Sequence, residues 1–235
     1  AELRGSHATM EELLQKLENH LRNLRSQSQE TKVNHIRNFV QEQCIKESQE
    51  ETGFYSLTVP TGGGKTLASV LWALHHAVKN HLHRIIIAIP YTSIIVQTAA
   101  TLKSIFGEDN VLEHHSNVNP EEIKDSNLRE RMQLATENWD YTIVVTTNVQ
   151  FFESLFNNKR SDCRKLHNIV KSVVIMDEVQ TLPLAFYKPI VHTLDTLHRL
   201  FNVSILFTTA SQPVLTGRIE GTNPNASFDA LSSVH

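Results

Sequence analysis

The chain has 235 residues, 40% of them hydrophobic, with a formal net charge of −3 and an isoelectric point near 6.5. That is enough apolar material for one large core and no overall positive field, so any contact with nucleic acid has to be local. Two cysteines without metal or redox spacing, Cys44 and Cys163, fit a reducing compartment, and no apolar run is long enough to span a membrane, so the expected location is the cytoplasm, with no membrane partner.

Residues 1–9 (AELRGSHAT) carry a GSH triplet typical of vector-derived leaders and are expected to be an expression leader. Residues 10–50 read as a helical lead-in. Thr9 and Glu12 have the spacing of a capping box, and Leu13, Leu14, Leu17, Leu21 and Leu24 share one helical face. After a polar loop at 26–30, a second helix over 32–47 is predicted to turn Val33, Ile36, Phe39, Val40 and Cys44 inward.

Residues 51–235 then alternate strand and helix. Phe54–Val59 is a short β-rich run, Pro60–Gly64 cannot continue it, and Leu67, Val70, Leu71, Leu74 and Val78 restore a helical period. A glycine-rich loop at the start of a helix is a phosphate site: its amides turn inward and the helix adds unpaired N–H donors. Thr61, Gly62, Gly63, Gly64, Lys65 and Thr66 are the candidate phosphate-binding residues, with Lys65 reaching the β- and γ-phosphates of ATP and the Thr66 hydroxyl on Mg²⁺. The pattern departs from the full P-loop at one slot, where Val59 stands for glycine. Asn34 or Arg37 would lie near the base if the lead-in helices serve the site as well as the core.

Arg84–Ile89 reads as a strand covered on both faces, followed by a helix carrying Ile94, Ile95, Thr98, Leu102 and Ile105. Val111–His115 is a short strand, 119–138 is polar and weakly helical, and Tyr141–Thr146 is a buried strand before a helix with Phe151, Phe152, Leu155 and Phe156. Arg160–Lys165 reads as a basic turn. Val173–Met176 is a strand that runs into Asp177 and Glu178, an acidic pair at the ligand edge of an α/β sheet. Beside a phosphate loop, Asp177 would hold Mg²⁺ and Glu178 would orient or deprotonate the attacking water. A helix over 182–200 should bend at Pro189, and Val203–Thr208 is a further strand. His75-His76 and His114-His115 have no metal-spaced acidic companions and read as surface or core histidines. The expected fold class is α/β, a three-layer P-loop domain with a mostly parallel sheet and helices on both faces.

Four stretches in order, VPTGGGKT (59–66), IPYTSIIVQT (89–98), VVTTNVQFFESLF (144–156) with IMDEVQTLP (175–183), and TTASQP (208–213), resemble the first RecA-like domain of superfamily 2 helicases. More narrowly, residues 31–235 are similar to the signature helicase–nuclease of type I CRISPR systems. That resemblance implies an ATP- and Mg²⁺-dependent motor on single-stranded DNA, coupled to an HD-type nuclease and recruited to a CRISPR surveillance complex. It implies phosphate contacts by Gly62, Gly64, Lys65 and Thr66, catalytic roles for Asp177 and Glu178, and coupling of Gln180 to Thr209 and Ser211. It places Pro90, Thr92, Thr146, Thr147 and Gln150 along the DNA backbone. The sequence shows neither a nuclease metal cluster nor a second RecA-like domain, so it looks like a first motor domain, excised or natural, inactive or nearly so when isolated. A nucleotide-binding or docking module without turnover, a motor of another superfamily 2 helicase and a small P-loop kinase are the alternatives, the last disfavoured by the DEVQ form of the acidic motif.

Overall fold

The computed structural model describes residues 7–60, 62–115, 134–156, 160–210 and 233–234. Its centre is a parallel sheet of β1 (Phe54–Thr58), β2 (Arg84–Ile89), β3 (Val111–His114), β4 (Ile143–Thr147), β5 (Ser172–Asp177), β6 (Ser204–Thr209) and the two-residue β7 (Ser233–Val234). The strand order is β3-β4-β2-β5-β6-β1-β7, and every described pairing is parallel. Parallel strands need crossovers, and these are the helices α3 (Lys65–Asn80), α4 (Thr92–Phe106), α5 (Asn148–Phe156), α6 (Arg160–Ile169) and α7 (Tyr187–Phe201). The helices α1 (Met10–Gln27) and α2 (Lys32–Glu47) precede the sheet.

The period of two along each strand sorts neighbouring residues into different layers. Ile85, Ile87, Ile89, Val173, Ile175 and Leu206 join α1, α3 and α4 in one core cluster. Ile86, Ala88, Val174, Met176, Ile205 and Phe207 join α5 and α7 in the other. This is the three-layer α/β architecture expected from the apolar runs. The capping box at Thr9 and Glu12 starts α1, with Ala8 hydrogen-bonded to Asn110 and Thr142. Among the described residues, no helix is long and apolar enough to cross a membrane.

Several local readings need correction. In α2 only Val40, Gln41 and Cys44 are buried, whereas Val33, Ile36 and Phe39 are about half exposed. The reason is the position of α2 along α3. Arg37 lies level with Gly62 and Gly64, and the carbonyl of Ser48 lies level with His76, so the turns before Arg37, with Val33 and Ile36, overhang the start of α3, while Phe39 sits to the side of the Val40–Cys44 face. Leu24, Ile94 and Phe156 are also exposed. The supposed basic turn is the start of α6, whose Leu166 and Ile169 pack into the second core cluster. The helix predicted over 182–200 begins only at Tyr187, after 3₁₀ turns at Val179–Thr181 and Leu184–Phe186. Pro189 therefore falls in the first turn, where its missing N–H breaks no helical hydrogen bond.

Candidate active site

All the strands point the same way, so their carboxyl ends share one edge. Register carries the site residues there: Asp177 pairs with Thr208, Thr58 with Thr209, and Ile89 with Thr147. Beyond β1 the chain turns, with the Gly63 amide donating to the Pro60 carbonyl at 3.0 Å and the Val59 amide to the Thr209 carbonyl at 3.1 Å. Gly62 and Gly64 have φ of 84° and 79°, a left-handed backbone that side chains disfavour. Gly63 is constrained differently. A Cβ there would come within 2.5 Å of Val59 Cγ1. The valine that departs from the P-loop pattern is thus buried beneath the loop, and its bulk excludes any side chain at 63. The Ala68 amide closes the first helical bond of α3 onto the Gly64 carbonyl at 3.1 Å, so the earlier amides of the turn remain donors for an anion.

Lys65 bridges the loop and the acidic pair. Its Nζ is 2.9 Å from Asp177 Oδ1 and also bonds Glu178 Oε1. The Thr208 hydroxyl donates to Asp177 Oδ1 at 2.5 Å. Gln180 donates through Nε2 to Glu178 Oε2 and accepts through Oε1 from the Thr209 hydroxyl at 2.8 Å. Lys65, Asp177, Glu178, Gln180, Thr208 and Thr209 therefore form one continuous network across three strand ends. Burial pushes the Glu178 carboxyl upward, but hydrogen bonds from Lys65 and Gln180, the Lys65 charge and the Ala210 amide outweigh it and hold the group below the usual carboxylate range. Glu178 also has φ 48°, a left-handed conformation that costs a non-glycine residue about 1–3 kcal/mol. The 3₁₀ turn that follows secures it, since the Thr181 amide and hydroxyl both donate to the Glu178 carbonyl.

Two network members add to the sequence reading. Thr208 as the partner of Asp177 was legible only through register, and the Ala210 amide carries no side-chain signal at all. Arg37 touches the loop at the Gly62 carbonyl, through Nε at 3.1 Å and Nη2 at 2.9 Å. Asn34 lies behind it, bonded to Arg37 Nη1. Thr66 is exposed at the start of α3. Thr61 and Ser211 lie outside the described residues.

The expected DNA-lining residues share the same edge but differ in access. Pro90 and Thr92 are half-buried at the junction of β2 and α4. The Thr147 hydroxyl accepts from the Gln150 amide at 2.9 Å, and the Gln150 side chain donates to Glu153. Thr146 has no exposed surface, and among the described residues its hydroxyl has no hydrogen-bond partner. Its side chain is enclosed at the end of β4. Of the paired histidines, His76 is buried between the Ser48 carbonyl and the Ser204 hydroxyl. His114 accepts from Trp139 Nε1 at 3.0 Å. Among the described residues no group of three metal-ligating side chains forms.

The chain matches the model of the DEAD/DEAH box helicase family over residues 38–216. The CRISPR-associated nuclease/helicase Cas3 of Haloferax volcanii is 29% identical over 188 residues, covering 72% of this chain and 20% of that protein. The chain thus spans about a fifth of the curated relative's length. Among solved structures, T. fusca Cas3 aligns with a TM-score of 0.61 at 15% identity, over 87% of this chain and 22% of that one. Its ATP form aligns with a TM-score of 0.60 at 17% identity, over 72% and 20%. The DUF1998 helicase MrfA aligns with a TM-score of 0.57 at 14% identity, over 85% and 29%. At these identities the structural likeness is one of fold.

Proposed function

The chain belongs to the DEAD/DEAH box helicase family, and we propose that it is the first RecA-like, ATP-binding motor domain of a CRISPR-associated DNA helicase. The observation that carries the reading is the junction of phosphate loop and acidic pair through Lys65, with Gln180 joining Glu178 to the end of β6. Lys65 exchanges its carboxylate partners for the β- and γ-phosphates, while loop amides and the start of α3 bind the remaining phosphate oxygens. Glu178, ionised and aimed by Lys65, Gln180 and the Ala210 amide, orients the attacking water and takes its proton. Gln180 changes partner as the phosphate leaves and carries that change to Thr209 and, by the same logic, Ser211.

Thr66 and Asp177 present hard oxygen donors on facing elements and fit a cation that takes one or two protein ligands and completes its shell with phosphate and water. When bound there, Mg²⁺ supplies charge neutralisation on the phosphate oxygens. Pro90, Thr92, Thr147 and Gln150 line the path of single-stranded DNA, where hydroxyls and amides read phosphates without sequence information. The partners of this reading are a second RecA-like domain, an HD-type nuclease and a CRISPR surveillance complex, in the cytoplasm. The similarity to Cas3 supports it.

Every charged group of the network stands on one sheet edge. Phosphoryl transfer gains about 10³–10⁵ in rate from an arginine finger on the opposite wall. The 235-residue chain alone is therefore expected to bind ATP or ADP and to release phosphate at background rate, with or without single-stranded DNA. Lys65→Ala serves as the contamination control, and DNA-stimulated release above that control would contradict the one-walled site.

A further inference from the structure

We infer that Arg37 is a positioning residue for the phosphate loop, a clamp on α2 that sets the cradle from outside. The inference rests on the nucleotide reading above and goes beyond it, because Arg37 precedes the sequence matched by the helicase family.

Its guanidinium holds one oxygen with two donors, Nε at 3.1 Å and Nη2 at 2.9 Å from the Gly62 carbonyl. The other face of the same peptide is also fixed, since the Gly63 amide donates to the Pro60 carbonyl. The Gly62–Gly63 peptide plane is thus pinned at both ends, and its orientation decides where the next amides, Gly64 and Lys65, point. The arginine stem lies along Gly64, where an added Cβ would come 3.3 Å from Arg37 Cγ. Arg37 is in turn held by Asn34 Oδ1 at 3.4 Å, and Asn34 by the Gln29 carbonyl and the Thr31 hydroxyl.

The charge of this group makes stability a poor explanation for it. Arg37 stands beside the amino terminus of α3, the positive end of that helix dipole, where a cation is unfavourable and an acid would stabilise. Among the described residues it has no carboxylate partner, whereas Lys65 has two. Beyond its two bonds to the Gly62 carbonyl, an exposed arginine set against a positive helix end gains most when an anion arrives between them. Arg37 then acts twice, by fixing the loop peptide and by adding positive potential at the phosphates.

The test measures binding of a fluorescent ADP analogue to the chain, displacement by ADP and by inorganic pyrophosphate, and the thermal midpoint without ligand. Arg37→Ala should weaken ADP and pyrophosphate alike by roughly tenfold, with a midpoint within about 2 °C of the parent. Arg37→Lys keeps the charge and one donor and should recover part of the loss. Unchanged affinity in Arg37→Ala overturns the inference. So does a loss confined to ADP with pyrophosphate unaffected, which would put Arg37 on the base. A fall in midpoint with no recovery by lysine overturns it too, by making the residue a brace of the fold. A parent chain that binds neither ligand sinks the nucleotide reading and the clamp together, an outcome visible before any variant is made.

Discussion

Lys65 and Arg84 are two cations at opposite edges of the same sheet, and their side chains are almost equally covered, at 15% and 12% exposed. Exposure does not distinguish them, but their partners do. Arg84 donates to main-chain carbonyls, to Tyr141 O and Asn168 O at 2.6 Å each, with Asn168 Oδ1 at 3.0 Å and Asp140 at 3.5 Å. Those carbonyls cannot move without moving the backbone, so Arg84 ties β2 to the segments before β4 and β5. Among the described residues Lys65 holds only carboxylates of Asp177 and Glu178, side chains that can rotate and let it go. Arg84, fixed to the backbone of its own sheet layer, serves the fold, and Lys65, fixed to side chains, can exchange partners.

The sharpest way to break this comparison is a pair of methionine substitutions. Arg84→Met removes the guanidinium donors from the half-buried Tyr141 and Asn168 carbonyls and should cost about 3–5 kcal/mol of stability. Lys65→Met should change stability by less than about 1 kcal/mol. Chemical denaturation of both variants checks this, and equal losses would erase the distinction.

A smaller effect should appear with pH. His76 and His114 are both pushed down to about 4, chiefly by burial. Their folded-state values lie below the unfolded value near 6.5, so the unfolded chain takes up protons first as pH falls. Stability is therefore complete above about pH 6.5 and lost between there and about pH 4, on the order of 3 kcal/mol for each group. Neither histidine lies in the Lys65 network, so this loss should track melting and not the geometry of the site. His114→Gln, which can still accept from Trp139, should flatten part of the profile, and an unaltered profile would remove His114 from the account.

The smallest effect expected in binding is that of Glu178→Gln, which should keep ADP affinity within about threefold because the group acts on water and not on phosphate. A large loss of affinity would make Glu178 a binding residue.

The strands and the loop were legible because each has a physical signature that needs no partner. Uninterrupted runs such as RIIIAI mark strands buried on both faces, and three glycines before a lysine mark a turn no other residue permits. What α2 buries was not legible, since Ile36, Val40 and Cys44 share a helical face and only the register of α2 against α3 decides that Ile36 overhangs. The start of α7 was obscured in the same way, because apolar residues in two 3₁₀ turns mimic a longer helix. At the site, the roles of Lys65, Asp177 and Glu178 could be proposed from spacing. Thr208 emerged from strand register, and the Arg37 contact depends on where a preceding helix lies. The inaccessibility of Thr146 likewise belongs to packing, which a motif does not encode.

The central claim is that Lys65 exchanges Asp177 and Glu178 for phosphate. Its most direct measurement is calorimetric titration of ADP with Mg²⁺ into the parent chain and into Lys65→Ala, with the fold of the variant verified by its melting transition. The account predicts saturable binding by the parent and none measurable by a variant that melts like the parent. Equal affinity in the two proteins would contradict it.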